Sequence, residues 1–135
     1  MPKHRDSKIR LGRLELRIMS VVWGRQQASV HEVRDALASG KGPAYSTILT
    51  MMRKLEAKGY LRHKVKDRAF IYHATISRED VRHNAIGDML ERLFNGSPSL
   101  LITSLAEQEQ LKPKDRQAIR RLLDELATEK GKTHD

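Results

Sequence analysis

The 135 residues include no cysteine, so disulfides and thiolate-bound metals are excluded as staples, and a reducing compartment suits the chain. Aromatics are scarce, with one Trp, three Tyr and two Phe, which leaves aliphatic packing to hold any core. No apolar run approaches the roughly 18 residues of a membrane span, so no membrane insertion is expected. The opening segment MPKHRDSKIRLGR is charged and lacks a signal peptide's apolar stretch, so a cytoplasmic location is expected. Catalytic signatures are missing too: no G-x-S-x-G, no glycine loop for phosphate and no paired carboxylates. Six histidines stand at 4, 31, 63, 73, 83 and 134, but none forms an H-x-x-H or H-E-x-x-H pair. No enzyme, no cofactor and no metal site is therefore expected.

What is abundant is positive charge, and it is unevenly shared. Residues 1–76 hold 16 Lys and Arg against 6 Asp and Glu, whereas residues 77–135 hold 10 against 11. One basic segment joined to one neutral segment suggests two jobs, with polyanion binding in the first. A head of about 75 residues can fold alone with modest stability, while a tail of about 60 folds more comfortably against a copy of itself.

Periodicity divides the chain further. A basic arm, expected to be flexible, covers 1–10. Leu11, Leu14, Ile18, Val21 and Val22 then recur at helical spacing in a first helix ending near Gly24. Trp23 closes it as a packing anchor. Ser29-Val30-His31-Glu32 is a capping box, opening a second helix from Val30 to Ala38 that buries Val33, Ala36 and Leu37. Ser39-Gly40-Lys41-Gly42-Pro43 is a loop. A third helix runs from Tyr45 to Lys58, and Gly59 supplies the left-handed C-cap. The period then changes to two: Leu61, His63 and Val65 alternate with Arg62, Lys64 and Lys66, and Phe70, Tyr72 and Ala74 alternate with Ile71 and His73. Pairing Val65 with Phe70 puts Leu61, Val65, Phe70 and Ala74 on one face of a hairpin. Its turn lacks glycine, so a four-residue loop is expected rather than a tight turn.

Three helices followed by a basic hairpin give a winged helix-turn-helix over residues 11–76. From Ser77 the pattern is helical only: Ser77 with Asp80 caps a helix ending at Asn95-Gly96, Ser97-Pro98 starts a second, and Pro113 opens a third. Residues 77–129 thus form a helical tail, and 130–135 are expected to fray. The fold class is mainly α with a small β-hairpin wing.

Stepping about 100° per residue from Ile48 gathers Ile48, Met52, Leu55 and Gly59 into a core stripe. Ser46, Thr50, Arg53 and Ala57 fall opposite, flanked by Thr47, Lys54 and Lys58. Met51 sits at the stripe's edge, where packing and contact with a thymine methyl both fit. Short hydroxyls near the N-terminus with cations behind them suit a major-groove reader, although a solvated helix exposes the same residue types. Arg62, Lys64, Lys66 and Arg68 give the wing a cationic face and tip, for phosphates or a minor groove. Lysines that guard a strand edge would look alike.

These residues resemble the BlaI/MecI family of bacterial repressors, which includes penicillinase repressors and the copper-responsive CopY type. Leu14-Glu15, Ile18-Met19 and Val22-Trp23 resemble its first helix, and Ala44 to Met51 leading into Lys54 to Leu61 its recognition helix and exit. Asp67 to Tyr72 resembles its wing and Phe94 to Ser97 its tail, so the likeness covers about 10–127. It implies a homodimer on a two-fold symmetric operator of double-stranded DNA. It implies DNA contacts at Tyr45, Ser46, Thr47, Thr50 and Arg53 or Lys54, with Arg68 in the wing; the wing reading adds Lys66. Dimerisation falls to the tail helices, through Leu90, Leu93, Leu101, Leu105, Ile119, Leu122, Leu123 and Leu126. The copper-sensing cysteine cluster is missing, which excludes that route. Penicillinase-type members are cut at an Asn-Phe bond by a pathway that implies a membrane zinc-metalloprotease sensor. Aligned through Asn95-Gly96 and Gln110-Leu111, that bond falls at Ser104-Leu105, where the position matches but the residues differ. A winged-helix docking module and a ligand-responsive regulator are the alternatives, the first disfavoured by the cationic face and the second by the lack of converging polar or aromatic groups.

Overall fold

The computed structural model describes residues 8–38, 40 and 42–132. Its elements are α1 (Arg13–Arg25), α2 (Val30–Leu37), α3 (Tyr45–Ala57), β1 (Leu61–Lys66), β2 (Ala69–Ala74), α4 (Arg78–Leu93), α5 (Pro98–Ala106) and α6 (Pro113–Lys132). They gather into two compact units that meet at Ala85–Ile86, inside α4. The expected arm lies outside the described residues up to 7, as do Ser39, Lys41 and residues 133–135.

The first unit is a winged helix-turn-helix, as the hydrophobic spacing predicts. Ile18, Met19 and Val22 of α1 meet Val33 and Leu37 of α2 and Ile48, Met52 and Leu55 of α3 in one core. Each fully buried aliphatic side chain contributes about 1.5–3 kcal/mol, so these positions fix how the three helices cross. Ser29 caps α2 as expected: its Oγ accepts from the Glu32 amide at 3.2 Å, and Glu32 Oε1 accepts from the Ser29 amide at 2.9 Å. Ala36, expected in the core, is exposed, because α2 ends at Leu37 and Val30, Val33 and Leu37 already fill its inner stripe.

α3 ends in a Schellman-type cap. Gly59 adopts φ +88°, and the Tyr60 amide reaches the Leu55 carbonyl at 3.0 Å. At its other end Gly42 is irreplaceable, since a Cβ there would lie 2.7 Å from the Leu37 carbonyl oxygen.

The hairpin register is the predicted one, Val65 opposite Phe70 and Leu61 opposite Ala74. The turn is not: Asp67 and Arg68 alone connect the strands, both at positive φ, 50° and 65°. Two left-handed residues are what a type I′ turn needs, and aspartate tolerates that region without glycine. The apolar face is also split. Leu61 and Tyr72 at the base are buried, whereas Val65 (65% exposed) and Phe70 (43%) at the tip project beyond the core. Ala28 extends the sheet by pairing with Tyr72 through hydrogen bonds of 2.9 and 2.8 Å.

α4 opens on the expected Ser77 and Asp80 cap. In the second unit Ser97 caps α5 by accepting from the Leu100 amide at 3.1 Å. No residue of α4 or α5 is buried, and Ile86, Met89, Leu93, Leu100, Leu105, Leu122 and Leu126 stay exposed. α6 continues to Lys132, past the fraying expected from 130.

Candidate nucleic-acid interface

The core stripe of α3 fixes which side chains it can offer outward. With Ile48, Met52 and Leu55 fully buried, Ser46, Thr47, Thr50, Arg53 and Lys54 are all exposed. Ala44, the N-cap, supplies no side-chain oxygen to the first-turn amides, which leaves that end open to an acceptor from outside. Tyr45 stands apart from this group. It is half-buried, its ring 4.5 Å from that of His31 and 5.9 Å from the Arg34 guanidinium, so α2 holds it in place.

Lys58, predicted on the flank of the outward face, is drawn inward. Its Nζ donates to Glu15 Oε2 at 3.0 Å and to the Arg10 carbonyl at 3.1 Å. Glu15 is buried; burial alone would raise its pKa, but the Gly12 amide at 2.8 Å and the Lys58 ammonium outweigh it and hold the carboxyl below its usual range. The chain entering α1 is tied at the same corner, since the Ile9 amide donates to Asn84 Oδ1 at 3.0 Å and the Arg10 amide to the Tyr60 hydroxyl at 3.3 Å.

On the wing, Arg62, Lys64, Lys66 and Arg68 are exposed, with Arg68 set by the tight turn. Hairpin and helix are joined by a contact that the sequence reading passed over. His63 Nδ1 lies 2.7 and 2.8 Å from the two carboxylate oxygens of Glu56 on α3, and its ring stacks on Phe70 at 4.0 Å with an interplanar angle of 11°. The signal was present: Glu56 lies about 80° from Ile48 on the helix wheel, and His63 shares the inward face of β1 with Leu61.

Trp23 acts as the predicted anchor, its Nε1 donating to the Ile76 carbonyl at 2.9 Å under the Arg78 guanidinium. Among the described residues no cluster of three or more His, Asp or Glu could hold a metal ion. His4 and His134 lie outside them. Leu90, Leu101, Ile119 and Leu123 are half-buried within the tail, and Leu93, Leu105, Leu122 and Leu126 are exposed; Ser104 is half-buried in α5.

Comparison with known proteins gives a consistent picture. Residues 11–125 match the family model described as penicillinase repressor. The chain is 20% identical over 122 residues to the penicillinase repressor of Staphylococcus aureus, covering 90% of this chain and 97% of that protein. It is 28% identical over 111 residues to the penicillinase repressor of Bacillus licheniformis, covering 82% and 87% respectively. The solution structure of the DNA binding domain of the repressor BlaI aligns with 55% of this chain and 90% of its own at 30% identity, with a TM-score of 0.49.

Proposed function

The chain belongs to the penicillinase repressor family and is a DNA-binding transcriptional repressor; we propose that it acts as a homodimer on a two-fold symmetric operator. The observation that carries the reading is the outward face of α3: two hydroxyls at its open N-terminus, Thr50 behind them, then Arg53 and Lys54, all exposed. Such a face can bring small donors to base edges in the major groove while the cations reach guanine or phosphate. Ser46, Thr47, Thr50, Arg53 and Lys54 are the assigned contacts on α3, and Lys66 and Arg68 those on the wing. Tyr45 contributes through its packing on α2 as much as through any contact with DNA.

The exposed aliphatic residues of the tail support self-association. Leu93 at the end of α4 is 69% exposed and Leu122 on α6 is 51% exposed, which leaves apolar surface that a second copy would cover. Division of labour follows: residues 11–76 read DNA and residues 77–129 pair the subunits. Two heads would then occupy major grooves about one helical turn, ~34 Å, apart or a multiple of it.

Release by proteolysis is the matching induction route, with a membrane zinc-metalloprotease as sensor and Ser104-Leu105 as the cut. That bond lies within α5, so the helix must unwind locally before a protease can take it in extended form. No helix of the described residues is long and apolar enough to cross a membrane, and operator binding requires a cytoplasmic chain.

The test is a gel shift with the duplex upstream of the chain's own gene, against a shuffled duplex of equal composition. The reading expects selective retardation that weakens steeply with salt; equal binding to both duplexes contradicts it. N-terminal sequencing of fragments from induced cells checks the cut, and an intact chain under induction rules it out.

A further inference from the structure

The base of the hairpin is fixed by burial of Leu61 and Tyr72 and by the Ala28 pairing. Its outer half has no such anchor: residues 64–70 are all exposed, and a two-stranded ribbon alone is marginally stable in water. His63 sits where burial ends. Its Nδ1 is within 2.8 Å of both Glu56 oxygens, and its ring lies flat on Phe70, across from Val65 on the neighbouring strand. One imidazole thus links the helix carrying Arg53 to the strand pair carrying Lys66 and Arg68.

We propose that Glu56 and His63 are positioning residues that set the wing against α3, so that helix and wing engage the same duplex in register. The inference rests on the DNA-binding reading above. It also explains an acidic side chain on a reading helix, where a carboxylate near phosphates would otherwise only repel them.

By charge alone, Glu56→Ala should tighten DNA binding. As a positioning residue, its loss should weaken binding. Full-length protein and the upstream duplex are used in fluorescence anisotropy across a salt series. Glu56→Ala is expected to bind about tenfold more weakly, with a shallower salt slope because wing phosphates are no longer engaged. Glu56→Gln keeps an acceptor for the Nδ1–H and should stay within about twofold of wild type, or bind more tightly. In the Glu56→Ala background, Arg68→Ala should cost little more while Arg53→Ala keeps its full effect. Glu56→Ala binding as tightly as wild type or tighter overturns the proposal, as does an undiminished Arg68→Ala effect in that background. If wild type itself fails to prefer the upstream duplex, it is the DNA-binding reading that falls.

Discussion

Lys58 illustrates what single residues withhold from a sequence reader. The helix wheel puts it beside Lys54 on the flank of the outward face, yet its ammonium lies against Glu15, 43 positions away. Helical spacing reveals which face a residue occupies, but not which partner another element brings there. The Glu15 carboxyl is held below its usual range by the Gly12 amide and Lys58 against the opposing effect of burial. Its contribution to stability is therefore present above the unfolded carboxyl pKa of about 4.3 and is lost as pH falls through the lower folded value. Glu15→Gln should cost about 1.5–3 kcal/mol near pH 7, and thermal unfolding from pH 5 to pH 3 should fall less steeply for the variant than for wild type. The outward face of α3 was legible, because its core stripe fixes by exclusion which side chains are exposed. Arg53→Ala should cost about 1–3 kcal/mol of operator affinity with relaxed base preference, whereas Lys66→Ala should weaken all duplexes alike and reduce the salt slope by about 1.

Elements were legible where a local rule decides them. The Ser29 and Ser77 caps, the left-handed Gly59 and the Val65–Phe70 register all follow from residues a few positions apart. Ser29→Ala should lower stability by about 1 kcal/mol, read from the urea midpoint at constant slope. The wing turn went the other way. Lack of glycine argued for a longer loop, but a fixed register and six-residue strands on both sides leave just two residues to turn the chain. The pairing energy of the strands offsets the left-handed strain. Replacing Asp67 by Gly should relieve that strain and raise stability by about 0.5–1 kcal/mol, measured by thermal melting; a lower melting temperature would argue against a type I′ turn. The extra length of α6 ran against a local signal, since the helix continues through Gly131, a residue type that weakens helix interiors and commonly follows their ends.

For the molecule as a whole, the charge partition was the most informative sequence property. A head rich in cations joined to a near-neutral, aliphatic tail already assigns polyanion binding to the first segment. The tail's exposed leucines carry the pairing proposal. Leu93→Glu with Leu122→Glu should convert the dimer to a monomer in light scattering and reduce affinity for a full operator far more than for a half-site. The most direct measurement is hydroxyl-radical protection of the upstream duplex by the full-length protein at moderate salt. The account predicts two equal protected half-sites related by two-fold symmetry, about one helical turn or a multiple of it apart, both lost together in Arg53→Ala. Uniform protection without symmetry, or a footprint unchanged in that variant, would contradict it.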